Sequence, residues 1–246
     1  MSIFNENGKA MRLDKYLAQT TGLSRKEVKK RLHAELVKVN DQLEKDSGRH
    51  VTSDDVVELD GELLSEPRPR YLMLYKPDGY VCSNDDPTHP TALTLIDLPA
   101  AEKLIIAGRL DLDTTGLVLL TDDGQWSHRI TSPRHKLPKR YRVFLETPLR
   151  EDAEALIEQG IILRSEAKRT KPALLQRISD TEVLLTLKEG RYHQVKRMFA
   201  ALDNHVVALH REQVGEITLD SDLAPGEYRE LTEAEITSIY SDQSHP

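Results

Sequence analysis

One short stretch, AGRLDLDTTGLVLLTDDG at 107–124, sets an arginine and two carboxylates, Arg109, Asp111 and Asp113, between apolar runs. Leu104-Ile105-Ile106 precedes them and Leu117-Val118-Leu119-Leu120 follows. Charges wedged between core-forming segments are costly unless they are paired or used. Asp111 falls on a loop at a strand end, where a rigid scaffold can hold a reactive group. Capping the turn through a side-chain to backbone hydrogen bond is the other use open to either acid. A second constellation is LKEGRYHQVKRM at 187–198, with Arg191 in a turn and Lys196 and Arg197 on the helix after it. An arginine delivered beside a partly buried aspartate favours the carboxylate form and orients it. The third is SPRHKLPKRYRV at 132–143, a proline-extended basic arm ending in Tyr141 at the start of a strand. A tyrosine beside Arg134, Lys139 and Arg140 can stack on an unpaired base while its neighbours hold phosphates; a strand tyrosine can equally be core.

The elements that must position these groups fall into two sets. Leu13, Tyr16 and Leu17 have helical spacing, stopped by Thr21-Gly22, and Ser24-Arg25-Lys26-Glu27 is a capping box that starts a second helix. Val28, Leu32 and Leu36 form its expected apolar stripe, and LVKVN and HVTSDDVVEL are expected strands. Glu66-Pro67-Arg68-Pro69 is the linker, since two prolines in three positions prevent a helix from crossing it. Beyond it strands dominate: RYLMLYKP, GYVCS, LIIAGRL, GLVLLT, KRYRVFLE, ALLQRIS, EVLLTLK and HVVALH. Helices are expected over 152–159 and 193–202, and a second capping box at Thr232–Glu235 begins a last one. The expected fold is α+β: a small α/β module over 11–62, then a domain over 71–236 with a mixed, mainly antiparallel sheet flanked by helices. An extension at 1–10, a linker at 63–70 and a flexible tail at 237–246 complete the division.

The net charge of −7 over 246 residues hides local extremes. Residues 9–38 carry nine Lys/Arg against three acids, residues 125–145 carry six and no acid, and residues 212–246 carry nine acids and one arginine. Basic zones with acid placed elsewhere suit local phosphate contact. A single cysteine, Cys82, leaves no internal disulfide and fits a reducing cytosol. No apolar run is long enough for a membrane span, and the start lacks the apolar block of a signal peptide. His128, His135, His193, His205 and His210 have no metal-binding spacing, and neither a Walker loop nor GxGxxG is present, so no metal and no cofactor are expected.

GRLDLDTTGLVLLTDDG resembles the catalytic motif of the pseudouridine synthases, with Asp111 at the position of the family's acting aspartate. YKPDGYVCS at 75–83 resembles their lysine–proline motif and brings in Lys76 as a substrate contact. KRYRV matches the segment of the base-stacking tyrosine, here Tyr141, and LKEGRYHQVKRM the motif whose arginine, here Arg191, pairs with the carboxylate. RLDKYLA and SRKEVKKRL resemble an S4 RNA-binding domain, although Val39-Asn40-Asp41 stands where many such modules turn through Val-Asn-Gly. The resemblance covers nearly the whole chain and is closest to the branch acting on 16S, small-subunit ribosomal RNA; the branch acting on 23S RNA is the alternative. It implies cofactor-free isomerisation: the N1–C1′ bond of a flipped-out uridine breaks, the uracil turns, and C5 bonds to C1′. Asp111 would add to base or sugar, or take the C2′ proton. Arg109 would contact phosphate or fill the space left by the flipped base. Arg12, Arg25, Lys29, Lys30 and Arg31 of the first module, with Arg134, Lys139, Arg140, Lys196 and Arg197, would hold the RNA backbone. The partner implied is ribosomal RNA, free or in an assembling particle, met by a cytoplasmic monomer. Two rival readings stand beside it: a phosphatase with Asp111-Leu112-Asp113-Thr114-Thr115 as DxDxT and Asp122-Asp123 as the later acids, and a non-catalytic S4-type assembly factor that needs no Asp111.

Overall fold

The computed structural model describes residues 10–64, 69–132, 134–135 and 137–241. The expected extension, apart from residue 10, half of the linker and the last five residues of the tail lie outside them. The chain divides into two compact units between Pro69 and Arg70.

In the first unit β1 (Met11–Arg12) runs straight into α1 (Leu13–Thr21). No side chain caps that helix; Leu13 and Asp14 N–H donate instead to the carbonyls of Arg49 and Ser47 at 2.7 and 3.1 Å. Gly22 ends it in the left-handed conformation, φ 74°. The Ser24 capping box opens α2 (Arg25–His33) as expected. Leu36 lies beyond the end of α2 and is 38% exposed, so the buried stripe is Val28 and Leu32 alone. The strands β2 (Val37–Val39), β3 (Gln42–Leu43), β5 (Val57–Leu59) and β6 (Glu62–Leu64) pair in the order β3-β2-β5-β6, while β4 (His50–Val51) pairs with β1. Asn40 and Asp41 take φ of 53° and 64°, so the two-residue hairpin forms without glycine. The Asn40 side chain steadies it, donating to Asp55 at 2.7 Å and accepting from Val56 N–H at 2.8 Å.

In the second unit, nine strands among the described residues form one sheet. Its path runs β11 (Leu174–Arg177), β12 (Glu182–Leu187), β10 (Lys139–Leu145), β13 (Val206–Val214), β9 (Thr114–Thr121), β7 (Tyr71–Lys76) and β15 (Tyr228–Glu230). The short strands β8 (Ile105–Ile106) and β14 (Ile217–Thr218) attach to β9 and β13. Every pairing is antiparallel except β13 with β9, which is the mixed, mainly antiparallel sheet expected. The helices α3 (Gly124–Thr131), α4 (Ala153–Gln159), α5 (Gln194–Ala200) and α6 (Glu233–Ser238) cover it.

Three expectations are corrected. GYVCS makes no strand; only Val81 bridges to Thr91, within a turn-rich segment. The helix α3 was not expected, its polar residues hiding an apolar face of Trp126 and Ile130 beneath an Asp123 cap. The tail is not free from residue 237, because α6 carries the chain on to Ile239, which is 0% exposed in the cluster that holds Trp126.

Candidate active site

Asp111 stands on the loop between β8 and β9, and buried cations hold that loop from behind. Lys76, at the end of β7, is fully buried and donates from Nζ to the carbonyls of Pro77 and Leu112, at 2.8 and 3.1 Å. Burial lowers its ammonium below the usual lysine range. Lys76 is therefore a strut beneath the loop and not the substrate contact expected of it. Arg211 on β13, 1% exposed, donates to Leu117 O and Gly108 O at 2.8 Å and to Arg109 O at 3.3 Å. It ties the start of the loop, at Gly108 and Arg109, to Leu117 within β9. The parallel β9–β13 pairing sets Gly116 opposite Arg211, where a Cβ would lie 2.3 Å from the Arg211 carbonyl oxygen. Glycine is required there, and its φ of 106° needs the same freedom.

The facing wall is the turn into α5. His193 is held at φ 45°, ψ 38°, a left-handed conformation that costs a non-glycine residue about 1 kcal/mol or more. That backbone turns the ring toward the loop, with Nε2 3.4 Å from Asp111 Oδ1. The neighbouring contacts over-determine the turn. Gln194 accepts from Arg191 N–H at 2.9 Å and donates to Glu189 at 2.8 Å. The Arg191 guanidinium binds Glu166 at 2.6 Å and the carbonyls of Lys168 and Arg169 at 3.0 and 2.6 Å. Here the expectation is corrected: Arg191 lines the same cleft as Asp111, yet its ion-pair partners are Glu166 and Glu189. Arg197 also spends its charge on Glu166, at 2.6 Å, and the two arginines hold that carboxyl below the usual range. The cation that does reach the acidic loop is Lys196, 2.5 Å from Asp113.

Asp113 thus pins its loop to α5 by an ion pair rather than by capping the turn. Its side chain is largely exposed, and such a pair is worth about 1 kcal/mol at most. Asp113→Asn is expected to lower turnover less than about fivefold. A loss as large as that of an Asp111 variant, in the same rate assay, would reverse the division of labour between the two acids.

Between these walls lies a cleft of about 780 Å³. Asp111, Arg109, Tyr141, Lys139, Arg191 and His193 all border it. Period-two alternation along β10 sends Lys139 and Tyr141 to the cleft and Arg140 to the far face of the sheet, where Glu212 binds it at 3.1 Å. Arg140 is accordingly a structural ion pair and not a cleft contact. Lys139 is half-buried and donates to Leu137 O at 3.0 Å; burial, with Arg211 nearby, pulls its ammonium down to about 8. It is part of the cleft wall and not of the outer surface. Tyr141 is half-buried and packs against two of the core clusters. The Thr114 hydroxyl, also at the cleft, is buried with no hydrogen-bond partner among the described residues.

Of the remaining backbone-contact candidates, Arg25, Lys29, Lys30 and Arg134 are exposed. Arg12 is tied to Asp14 through two hydrogen bonds, at 3.1 and 2.9 Å, and Arg31 to Asp60. The acids of the phosphatase reading are occupied structurally. Asp122 accepts from Arg70 at 2.7 and 2.8 Å, and Asp123 caps α3 and accepts from Tyr71 at 2.8 Å. Sequence reasoning missed His193 and Arg211. A left-handed histidine leaves no trace in the pattern, but Arg211 lies two residues from Leu209 on one face of β13, a buried register that was there to be read.

Residues 70–201 match the model of the RNA pseudouridylate synthase family and residues 11–57 that of the S4 domain. The chain is 55% identical over 230 residues to a protein of Escherichia coli K12 named ribosomal small subunit pseudouridine synthase A, covering 93% of this chain and all of that one. A protein of the same name from Vibrio cholerae is 53% identical, covering 94% and 100%. A crystal structure titled as a pseudouridylate synthase superposes with a TM-score of 0.68 at 50% identity, over 93% of this chain and 99% of that one. The aspartate loop braced from behind, the cleft before it and a matched region spanning most of the catalytic unit lead to one assignment: the chain belongs to the RNA pseudouridylate synthase family.

Proposed function

We propose that this enzyme isomerises a uridine of small-subunit ribosomal RNA to pseudouridine, with Asp111 as the acting carboxylate. The observation that carries the reading is the placement of Asp111: on a braced loop, half-exposed, at the edge of a cleft that also holds Tyr141 and Arg109. The uridine leaves its stack, its uracil lies against the Tyr141 ring, and Asp111 meets the base or sugar. Breaking N1–C1′ frees the uracil to turn within the cleft, and C5 then takes the bond to C1′, losing its proton while N1 gains one, so that the product is an isomer of the substrate. Arg109, exposed at the mouth, holds phosphate or the place the base has left. Enclosure by both walls keeps water from the separated sugar and base.

Small-subunit RNA is favoured over large-subunit RNA by the names of relatives that match from end to end. The S4 module brings an exposed basic helix, with Arg25, Lys29 and Lys30, that suits RNA backbone. The cleft is complete within one chain, which supports a monomer acting in the cytoplasm, where ribosomal particles assemble. No helix among the described residues is long and apolar enough to cross a membrane. Mapping pseudouridines in ribosomal RNA from cells with and without this chain is the test. One small-subunit position losing its modification is the expected result; a change confined to large-subunit RNA would move the substrate, and no change would remove the function.

A further inference from the structure

Tyr192 is anomalous for an aromatic residue of this domain. It is 77% exposed although it borders the cleft, and its backbone belongs to the most restrained turn of the site. Arg197 donates to its carbonyl at 3.1 Å, and the residues on either side are the clamped Arg191 and the left-handed His193. One face of its ring is covered: the His193 ring stacks on it with centroids 3.8 Å apart and planes 19° from parallel. The same His193 reaches Asp111 with its Nε2. The result is a flat aromatic surface, rigidly mounted, a single ring away from the candidate nucleophile.

Leaving a tyrosine ring in water on a rigid mount forgoes its burial and gains the fold nothing; its natural complement is another flat π-system. The cations that line the same cleft point to which one. Lys171 and Lys188 border the same cleft, so a planar group arriving on Tyr192 with an attached phosphate meets positive charge. A peptide aromatic would bring no such anion. We propose that Tyr192, backed by His193, is a stacking platform for the unpaired RNA base adjacent to the uridine that is isomerised. This rests on the function proposed above and adds to it a second base subsite, distinct from the one at Tyr141. Stacking reads the shape and accessibility of the flanking nucleotide more than its hydrogen-bonding edge, so the platform selects a strand already unpaired beside the target.

The test uses a single-stranded RNA containing the target uridine found by mapping, with 2-aminopurine on either side of it in turn. Binding to the full-length native chain is expected to quench one of the two probes by stacking. Tyr192→Ala is expected to abolish that quench and raise KM at least about fivefold, with kcat at saturating RNA changed much less. Tyr192→Trp is expected to retain both the quench and the KM, which a purely structural tyrosine would not show. Absence of quenching at both positions on the native chain, or a Tyr192→Ala enzyme with native KM, would overturn the platform. Because the native chain is assayed for pseudouridine on the same RNA, failure of the enzymatic reading is seen separately, as no product from any variant.

Discussion

The Asp111→Asn variant is expected to fold, to bind RNA as the native chain does, and to form pseudouridine at least about a thousandfold more slowly. Asparagine keeps the shape of the side chain, and the loop that carries it is held by other groups. The Leu112 carbonyl is fixed by Lys76 and by Gly79 N–H, and the Asp111 carbonyl by Thr114 N–H at 3.1 Å. The substitution therefore removes a charge and a nucleophilic oxygen while leaving the scaffold in place. An amide neither adds to uracil or ribose at a useful rate nor accepts a proton near neutral pH, so every route in which the carboxylate acts on the nucleoside is closed. Binding should persist because the cations of the cleft and the S4 module are untouched. Single-turnover assays with enzyme in excess, alongside a filter-binding titration, separate the two quantities. Near-native turnover would remove Asp111 from the chemistry, and a parallel loss of binding would make it a folding or docking residue instead.

The rival that needs no catalysis meets the same experiment. An assembly factor built on an S4 module would complement a deletion strain equally well with aspartate or asparagine at position 111. Slowed ribosome assembly in the deletion strain, rescued by the Asp111→Asn chain without pseudouridine, would show a binding role coexisting with the enzyme.

How far the sequence carried the reading varies by residue, with a physical pattern. Local signals were reliable: both capping boxes sit where Ser24 and Thr232 place them, because a cap is decided within four residues. The apolar runs of β7 and β9 are strands, since near-continuous burial on a sheet leaves little freedom of pattern, and β12 shows the period-two alternation of a half-buried strand. Charged side chains were the weak point. Lys76, Arg191 and Arg211 were read as a substrate contact, an Asp111 partner and nothing in particular. Their partners lie 36, 25 and 94 to 103 residues away in the chain, at Leu112, Glu166 and the 108–117 segment. A cation has long reach and no period, so its partner emerges only when the sheet order is known. The helix α3 was lost for a related reason: its Trp126 and Ile130 face was visible, but Ser127 and His128 between them carry low helix propensity, and the burial that stabilises it comes from Ile239.

Arg211→Met is expected to be the most damaging substitution outside Asp111, acting on stability and turnover together. The guanidinium is the donor for three carbonyls, two at the start of the aspartate loop and one within β9, in a place almost free of solvent. Methionine fills much of the volume but donates nothing, so buried carbonyls are left without partners at about 1–3 kcal/mol each, with relaxation recovering part. A net loss of roughly 3 kcal/mol follows, enough to lower the melting temperature of the catalytic unit by about 6–12 °C. Turnover should fall even where the variant remains folded, because Gly108 and Arg109 lose the tether that sets the approach to Asp111. Arg211→Lys keeps one donor and should fall between the two, more stable than the methionine variant yet still slow. Calorimetry on the full chain and kcat measured well below the transition provide the readings. The strut is rejected if Arg211→Met melts within a degree or two of the native chain and turns over at the native rate. If it melts early but turns over normally, Arg211 supports the sheet without setting the loop.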